Sequence, residues 1–391
     1  MLKLRIFHLA DTHLGFSAYN RLDPESGLNQ REVDFYSAFQ KFVDVALDTK
    51  PDLILHSGDF FDSVRPTNRA ISFAMDQLIR LSEANIPIVM IAGNHSTPRL
   101  RETGSVFRLF EHLENVYPIY KSKYECLDFP NLKLKVHAVP HCTDSESLHQ
   151  ALEQLLPDEN YEFNIAMLHA AIVGVKVFRS SELNEQDVKS GYLHKNFNYI
   201  ALGHYHEFCK VDENAYYSGS LERINFLEAG HQRKGFAEIN LTTADDNEKY
   251  PMPILKQLPT RPMVELPTID CLEFDPNEIP SEIQKRIESI EPMDKIIKIK
   301  VLNLPMHIYR SLDFNLIGKL TADALHFEIQ YEVTKEEQGA GAAGIKFEVL
   351  GKEFSEFFAH EAIEGLDKDR LCNLGLEYLT SAGEIKKKFT E

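Results

Sequence analysis

The chain has 391 residues, with 42 Lys plus Arg against 60 Asp plus Glu and a formal charge of −18. Residues 1–200 carry 20 basic and 26 acidic side chains and residues 201–391 carry 22 and 34, so neither half is a basic glove for phosphate backbones, and composition alone votes against a nucleic-acid partner. With 43% apolar and 26% charged residues the chain is neither disordered nor fibrous, and its length suits two domains and a small third piece.

The first residues, MLKLRIFHLADTH, hold no signal-peptide pattern, and no run approaches the ~18 apolar residues of a membrane span, so no membrane partner and a cytoplasmic, nucleoid-associated location are expected. The 5 cysteines are scattered without a CxxC pair, which suits free thiols in a reducing compartment.

In chain order, five short apolar runs read as buried strands: RIFHLAD (5–11), LILHSGD (53–59), IVMIAGN (88–94), IAMLH (165–169) and YIALGH (199–204). Helical periodicity lies between them over Asn29–Asp48, where Phe35, Phe39, Phe42 and Val43 repeat, and over Thr67–Glu83. Alternation of strands and helices predicts a layered α/β core over residues 1–245. A proline-rich connector then leads into a smaller α/β cap over 246–336, predicted as strand 263–270, helix 278–290, strand 295–304, helix 312–325 and strand 327–334. Residues 337–391 open with GAGAAG (339–344), which matches a dinucleotide fingerprint only literally because no strand–turn–helix surrounds it, and end as a helical tail.

Each apolar run ends in a residue that can bind metal: Asp11, Asp59, Asn94, His169 and His204. In open α/β sheets the ligand crevice lies outside the carboxyl ends of the strands, so these distant segments are expected to converge. Carboxylate, amide oxygen and imidazole together suit a borderline first-row cation, and the i, i+2 spacing of Asp11 with His13 and of His204 with His206 lets one strand end present two ligands. Singly, DxH, GDxxD and HxH are weak signals; their order on five strand ends is not.

The ordered set DxH, GDxxD, GNH, H, GHxH resembles the calcineurin-like binuclear metallophosphoesterases. DTHLG, NQREVDFYSAF and LGHYH followed by YYSGSLERINF narrow the likeness, over about residues 1–240, to the SbcD-type DNA repair exonucleases. That resemblance implies two divalent ions, Mn²⁺ by preference, one held by Asp11, His13 and His206 and the other by Asn94, His169 and His204, with Asp59 bridging. It implies that His95 faces the scissile phosphate, and that the chain is a homodimer cutting DNA ends beside an SbcC-type SMC-like ATPase. Two positions depart from the family: Ser96 stands where members often have Asp, which implies altered support around the ligands rather than lost metal, and Asp62 stands where many archaeal and eukaryotic relatives have His, which puts a phosphate-contacting role for position 62 in doubt.

Ser220, Arg223 and Asn225 are candidates to meet a nucleic-acid backbone, or form a structural turn. His8 and His56 read as core histidines, and His137 and His141 as structural or exposed. Arg31 and Asp34 either support the Asp11 loop or form a surface pair, while the apolar repeat of 105–114 and the Phe354, Phe357 and Phe358 stripe are candidate dimer and ATPase docking faces. The rival functions are a phosphodiesterase or phosphatase of nucleotides and small phosphoesters, and a DNA-end scaffold without catalysis.

Overall fold

The computed structural model describes residues 2–98, 104–174, 186–229, 233–243, 250–333, 370–376 and 378. The GAGAAG loop, the Phe354, Phe357 and Phe358 stripe and the terminal lysines lie outside the described residues.

Strand Lys3–Leu9 lies within a six-stranded mixed sheet. Leu53–His56, Ile88–Ile91 and Val116–Ile119 follow it in parallel on one side, and Gly235–Thr242 and then Ile254–Gln257 pair antiparallel on the other. A second six-stranded sheet has the order Cys209–Asp212, Ala215–Tyr217, Tyr199–Gly203, Phe163–His169, Leu134–Val139, Glu125–Phe129; its four inner strands are parallel and its two edges antiparallel.

Alternation along the strands builds the layers. Leu4, Ile6, Leu53, Leu55, Val89 and Ile91 of the first sheet pack on Val136, Ile165, Met167 and Ala201 of the second in one buried cluster. Phe7, Leu9, Ile54, Ile88 and Met90 point the other way, onto helices Gln30–Thr49 and Asn68–Glu83 through Phe39, Phe42, Val43, Ala74 and Leu78. Ala166, Leu168, Ile200 and Leu202 likewise meet helix Ser145–Glu153 through Leu148, Ala151 and Leu152. The result is helix, sheet, sheet, helix. The layered α/β core with mixed sheets flanked by helices, expected from the runs, is what the chain adopts.

The helix starts follow capping chemistry: the Asn29 side chain accepts from the Arg31 amide and the Thr67 side chain from the Ala70 amide. The compact unit holding both sheets comprises Met1–Glu265 with Pro292–Ile297 and Asp323–Phe327, because the Pro-rich segment adds the edge strand Ile254–Gln257 and Arg261 pairs with Asp34 at 2.6 Å.

The second unit comprises Leu266–Glu291, Lys298–Ala322 and Glu328–Glu391. In it, Ile269 and Asp270 pair in parallel with Val301 and Leu302, and helix Ile279–Glu288 buries Ile279, Ile283 and Ile287 at four-residue spacing. Two predicted elements differ. The strand expected over 263–270 is interrupted at Leu266–Thr268, where Pro267 cannot donate to a ladder. The helix expected over 312–325 is Phe314–Leu320, started by the Asp313 side chain accepting from the Leu316 amide, and a further helix, Met306–Ser311, begins after Pro305. Of the expected tail, residues 370–376 and 378 are described, and they are helical.

Candidate metal centre

The parallel strands of both sheets end at one edge, and their loops are laced together there. Asp11 donates its amide to the Gly58 carbonyl (3.0 Å), His13 to Asp59 (3.0 Å) and Leu14 to Phe60 (2.9 Å), which carries the pairing of the first two strands beyond their ends. The seam between the sheets is closed by both Asp11 oxygens accepting from the His204 amide (3.1 Å each) and by His169 Nδ1 donating to the Ser57 carbonyl (2.8 Å).

Asp11, His13, Asp59 and His204 all have φ in the left-handed region, at 52°, 42°, 51° and 106°. That conformation is costly for residues with a Cβ and concentrates at functional sites. Gly58, at φ 102°, passes so close to His169 that a Cβ would stand 2.1 Å from its Nδ1, and a Cβ on Gly93 would stand 2.2 Å from Asp59 Oδ1.

Two overlapping donor groups result: Asp11, His13 and His206, and Asp11, Asp59 and His169, each with its ligand atoms within 4.8 Å of one another. A third group of the same compactness is His13, Asp62 and His95. Around His169 the donors converge: with Nδ1–H committed to Ser57, Nε2 faces Asn94 Oδ1 at 2.9 Å and Asp59 Oδ2 at 3.1 Å. A neutral ring there opposes lone pairs to lone pairs, an arrangement relieved by a cation. His13 supports the same fit: Nδ1 meets the Asp62 carboxylate at 3.2 Å, while the buried Nε2 has no hydrogen-bond partner among the described residues. Imidazoles backed by a carboxylate or carbonyl in this way are typical metal ligands.

The electrostatics agree. Burial pushes the Asp11 carboxyl up. Burial would do the same to Asp59, but the His169 ring beside it holds that carboxyl well below the usual range. His169 in turn is pushed up to about 9, burial being outweighed by Asp59. The site thus attracts positive charge, which divalent ions would supply.

His95 lies beside the cluster, its ring 4.9 Å from that of His13, and is only partly buried. Its amide donates to Asp59 Oδ1 (2.9 Å) and its Nδ1 to the Asp62 carbonyl (2.8 Å). The structure brings together Asp11, His13, Asp59, Asn94, His95, His169, His204 and His206.

Ser220, Arg223 and Asn225 are placed otherwise. Ser220 is fully buried and donates to the Glu222 carbonyl (2.8 Å). The Arg223 guanidinium bonds the Glu228 carbonyl (3.1 Å) and Thr260 Oγ1 (2.5 Å), and Asn225 caps the turn Phe226–Glu228 by accepting from the Leu227 amide (2.9 Å). Ser220 is buried, Arg223 is half-buried and Asn225 is exposed, and all three bond within this turn. Arg31 is buried too: it bonds Asp34 (2.5 Å), Glu222 (3.4 Å) and the Arg223 carbonyl.

His8 and His56 are fully buried, His8 against Tyr199 Oη (3.0 Å) and His56 against Thr12 Oγ1 (3.0 Å). Counting offsets from Asp11 and Asp59 would put both rings on one sheet face, but they lie on opposite faces. Strict alternation ends where Asp11 and Asp59 turn left-handed. His137 bonds Asn164 (3.0 Å) and Tyr124 (2.7 Å) within the second sheet, and the amide of buried His141 bonds the Ala92 carbonyl (2.8 Å). The 105–114 repeat forms a short 3-10 helix, Val106–His112, that buries Phe107 and Phe110 on the core and leaves Leu109 45% exposed. Three partners escape sequence reasoning: Asp62, Glu228 and Lys234. Asp62 closes GDxxD and so carries a faint signal; Glu228 and Lys234 belong to no motif.

Residues 4–208 match the calcineurin-like phosphoesterase family. The chain belongs to that family. Among similar proteins, the DNA double-strand break repair protein Mre11 of Methanococcus maripaludis is 31% identical over 207 residues, 52% of each chain. That of Thermoplasma acidophilum is 28% identical over 302 residues, 73% of each, and that of Archaeoglobus fulgidus 25% identical, covering 98% of this chain and 86% of its own. The chain thus spans about half the length of the Methanococcus relative. Among solved structures, a dimetal phosphatase from Danio rerio shares 12% identity over 61% of this chain and 93% of its own, with a TM-score of 0.39. For this calcineurin-like phosphoesterase, family and donor clusters together support divalent metal ions at the site. No helix among the described residues is long and apolar enough to cross a membrane.

Proposed function

We propose that the chain is a metal-dependent nuclease that hydrolyses phosphodiester bonds at DNA ends in double-strand-break repair, an exonuclease with endonuclease capacity that uses Mn²⁺. The convergence of Asp11, His13, Asp59, His169 and His206 carries the reading, supported by the relatives named as break-repair proteins.

In this reading Asp11, His13 and His206 would hold one ion and Asn94, His169 and His204 the other, with Asp59 available to both. Two divalent ions so held would activate water, clamp the phosphate and neutralise charge developing in an in-line displacement. The chain's residues supply the rest. Left-handed Asp11 and Asp59 turn their carboxylates inward, and the cross-sheet bonds to His204 and Ser57 keep the two halves of the donor set in register. His95, with Nδ1–H fixed on the Asp62 carbonyl, keeps Nε2 as the nitrogen that holds or gives a proton to the leaving oxygen.

A homodimer and an SbcC-type SMC-like ATPase complete the proposed assembly, with the cap and tail regions of 246–336 and 337–391 assigned to DNA and ATPase contacts. The test is cleavage of end-labelled duplex and single-stranded DNA with Mn²⁺. Wild type should degrade the DNA, and His95→Ala should abolish cleavage while retaining both ions. Hydrolysis of small chromogenic esters with DNA left intact in every divalent metal would replace the reading by a small-molecule phosphodiesterase. No ester cleaved with both ions bound would replace it by a DNA-end scaffold.

A further inference from the structure

The segment Ser218–Glu228 and Lys234 lie between the strands Ala215–Tyr217 and Gly235–Thr242 and bond one another beside His206. At its end, Glu228 is 4% exposed and its Oε1 lies 3.1 Å from His206 Nδ1. The remaining bonds around this carboxylate hold it still. Oε1 also accepts from the Ile224 amide (3.2 Å), and Oε2 accepts from Lys234 Nζ, itself 3% exposed. Lys234 further donates to the His206 carbonyl (2.5 Å) and Ser220 Oγ (2.8 Å). Asn225 caps the turn that carries Glu228, and Arg223 grips its carbonyl.

We infer that Glu228 is the positioning residue of the candidate metal ligand His206, and that Ser220, Arg223, Asn225 and Lys234 form the frame that aims it at a divalent cation. The inference rests on the reading that Asp11, His13 and His206 share one ion. Accepting from Nδ1–H fixes the tautomer, so Nε2 keeps its lone pair for the ion and its basicity rises with a carboxylate behind the ring. Lys234 balances the buried charge, so Glu228 stays ionised without an unpaired carboxylate in the interior.

The test is calorimetric titration of the full chain with Mn²⁺ alone, beside thermal melting, for wild type, Glu228→Gln, Glu228→Gln with Lys234→Met, and His206→Ala. Glu228→Gln should weaken one of the two binding events about 10- to 100-fold and leave the other unchanged. The double variant removes both buried charges; it should recover melting temperature while the weakened binding persists, which separates aiming the ligand from filling space. If both Glu228 variants bind two ions as wild type does while His206→Ala loses one, the inference fails and the metal reading stands. If His206→Ala also binds like wild type, the metal reading itself fails. If neither Glu228 variant folds, the frame is structural and the inference falls.

Discussion

Asp62 holds two rings by two different atoms: its carboxylate meets His13 and its main-chain carbonyl accepts from His95. Substitution should therefore separate the two. Asp62→Ala keeps the carbonyl and so the placement of His95, but frees His13; Mn²⁺ affinity should fall about tenfold while the rate at saturating metal stays well above that of His95→Ala, as a metal titration of DNA cleavage would show. His8 gives a second prediction at this scale. Burial pushes its pKa down to about 3 from 6.5, so the unfolded chain binds a proton between those values that the folded chain does not. Its contribution is intact above pH 6.5 and is lost as pH falls toward 3. Urea unfolding at pH 7 and pH 5 should show wild type losing about 2 kcal/mol more than His8→Gln, from the 1.36 kcal/mol per pH unit of such linkage. The candidate ligands were legible because each ends an apolar run or stands two residues past one, a pattern local to a few residues. Their partners were not, since Asp62 and Glu228 reach His13 and His206 across 49 and 22 residues.

Among elements, the two long helices follow from local chemistry, their starts lying where Asn29 and Thr67 offer side-chain acceptors. Asn29→Ala should cost about 1 kcal/mol in chemical denaturation and leave metal binding unchanged, since the cap stands apart from the donors. The Gly93 turn behaves oppositely. Gly93→Ala pushes a methyl into the Asp59 carboxylate, so metal binding and cleavage should fall together by at least tenfold. Titration of the purified, folded variant with Mn²⁺ checks this. The cap elements were misread where prolines act at single positions: Pro267 breaks a strand and Pro305 precedes a helix that apolar spacing alone does not reveal.

For the whole molecule, the −18 charge and the site have to be read together. The acids and imidazoles at the strand ends form a local sink for cations, and two divalent ions there add +4 where a phosphate would arrive. Away from that patch the chain remains acidic, so the isolated protein should bind duplex DNA weakly at physiological salt and lose affinity as salt rises. Fluorescence anisotropy across a salt series measures this, and tight binding of long DNA by the chain alone would contradict it.

The donor set is drawn from both layers of the sandwich, Asp11, His13, Asp59 and Asn94 from one sheet and His169, His204 and His206 from the other. An ion shared among them would therefore fasten two halves of a core that otherwise meet through apolar contact and a few cross-sheet hydrogen bonds, and fold stability would become a function of free metal. At a concentration one hundred times the dissociation constant, each ion adds about 2.7 kcal/mol to unfolding. Chelation should lower the melting temperature and loosen the seam between the sheets first, which hydrogen exchange at the ends of strands Phe163–His169 and Tyr199–Gly203 would register before the helices respond.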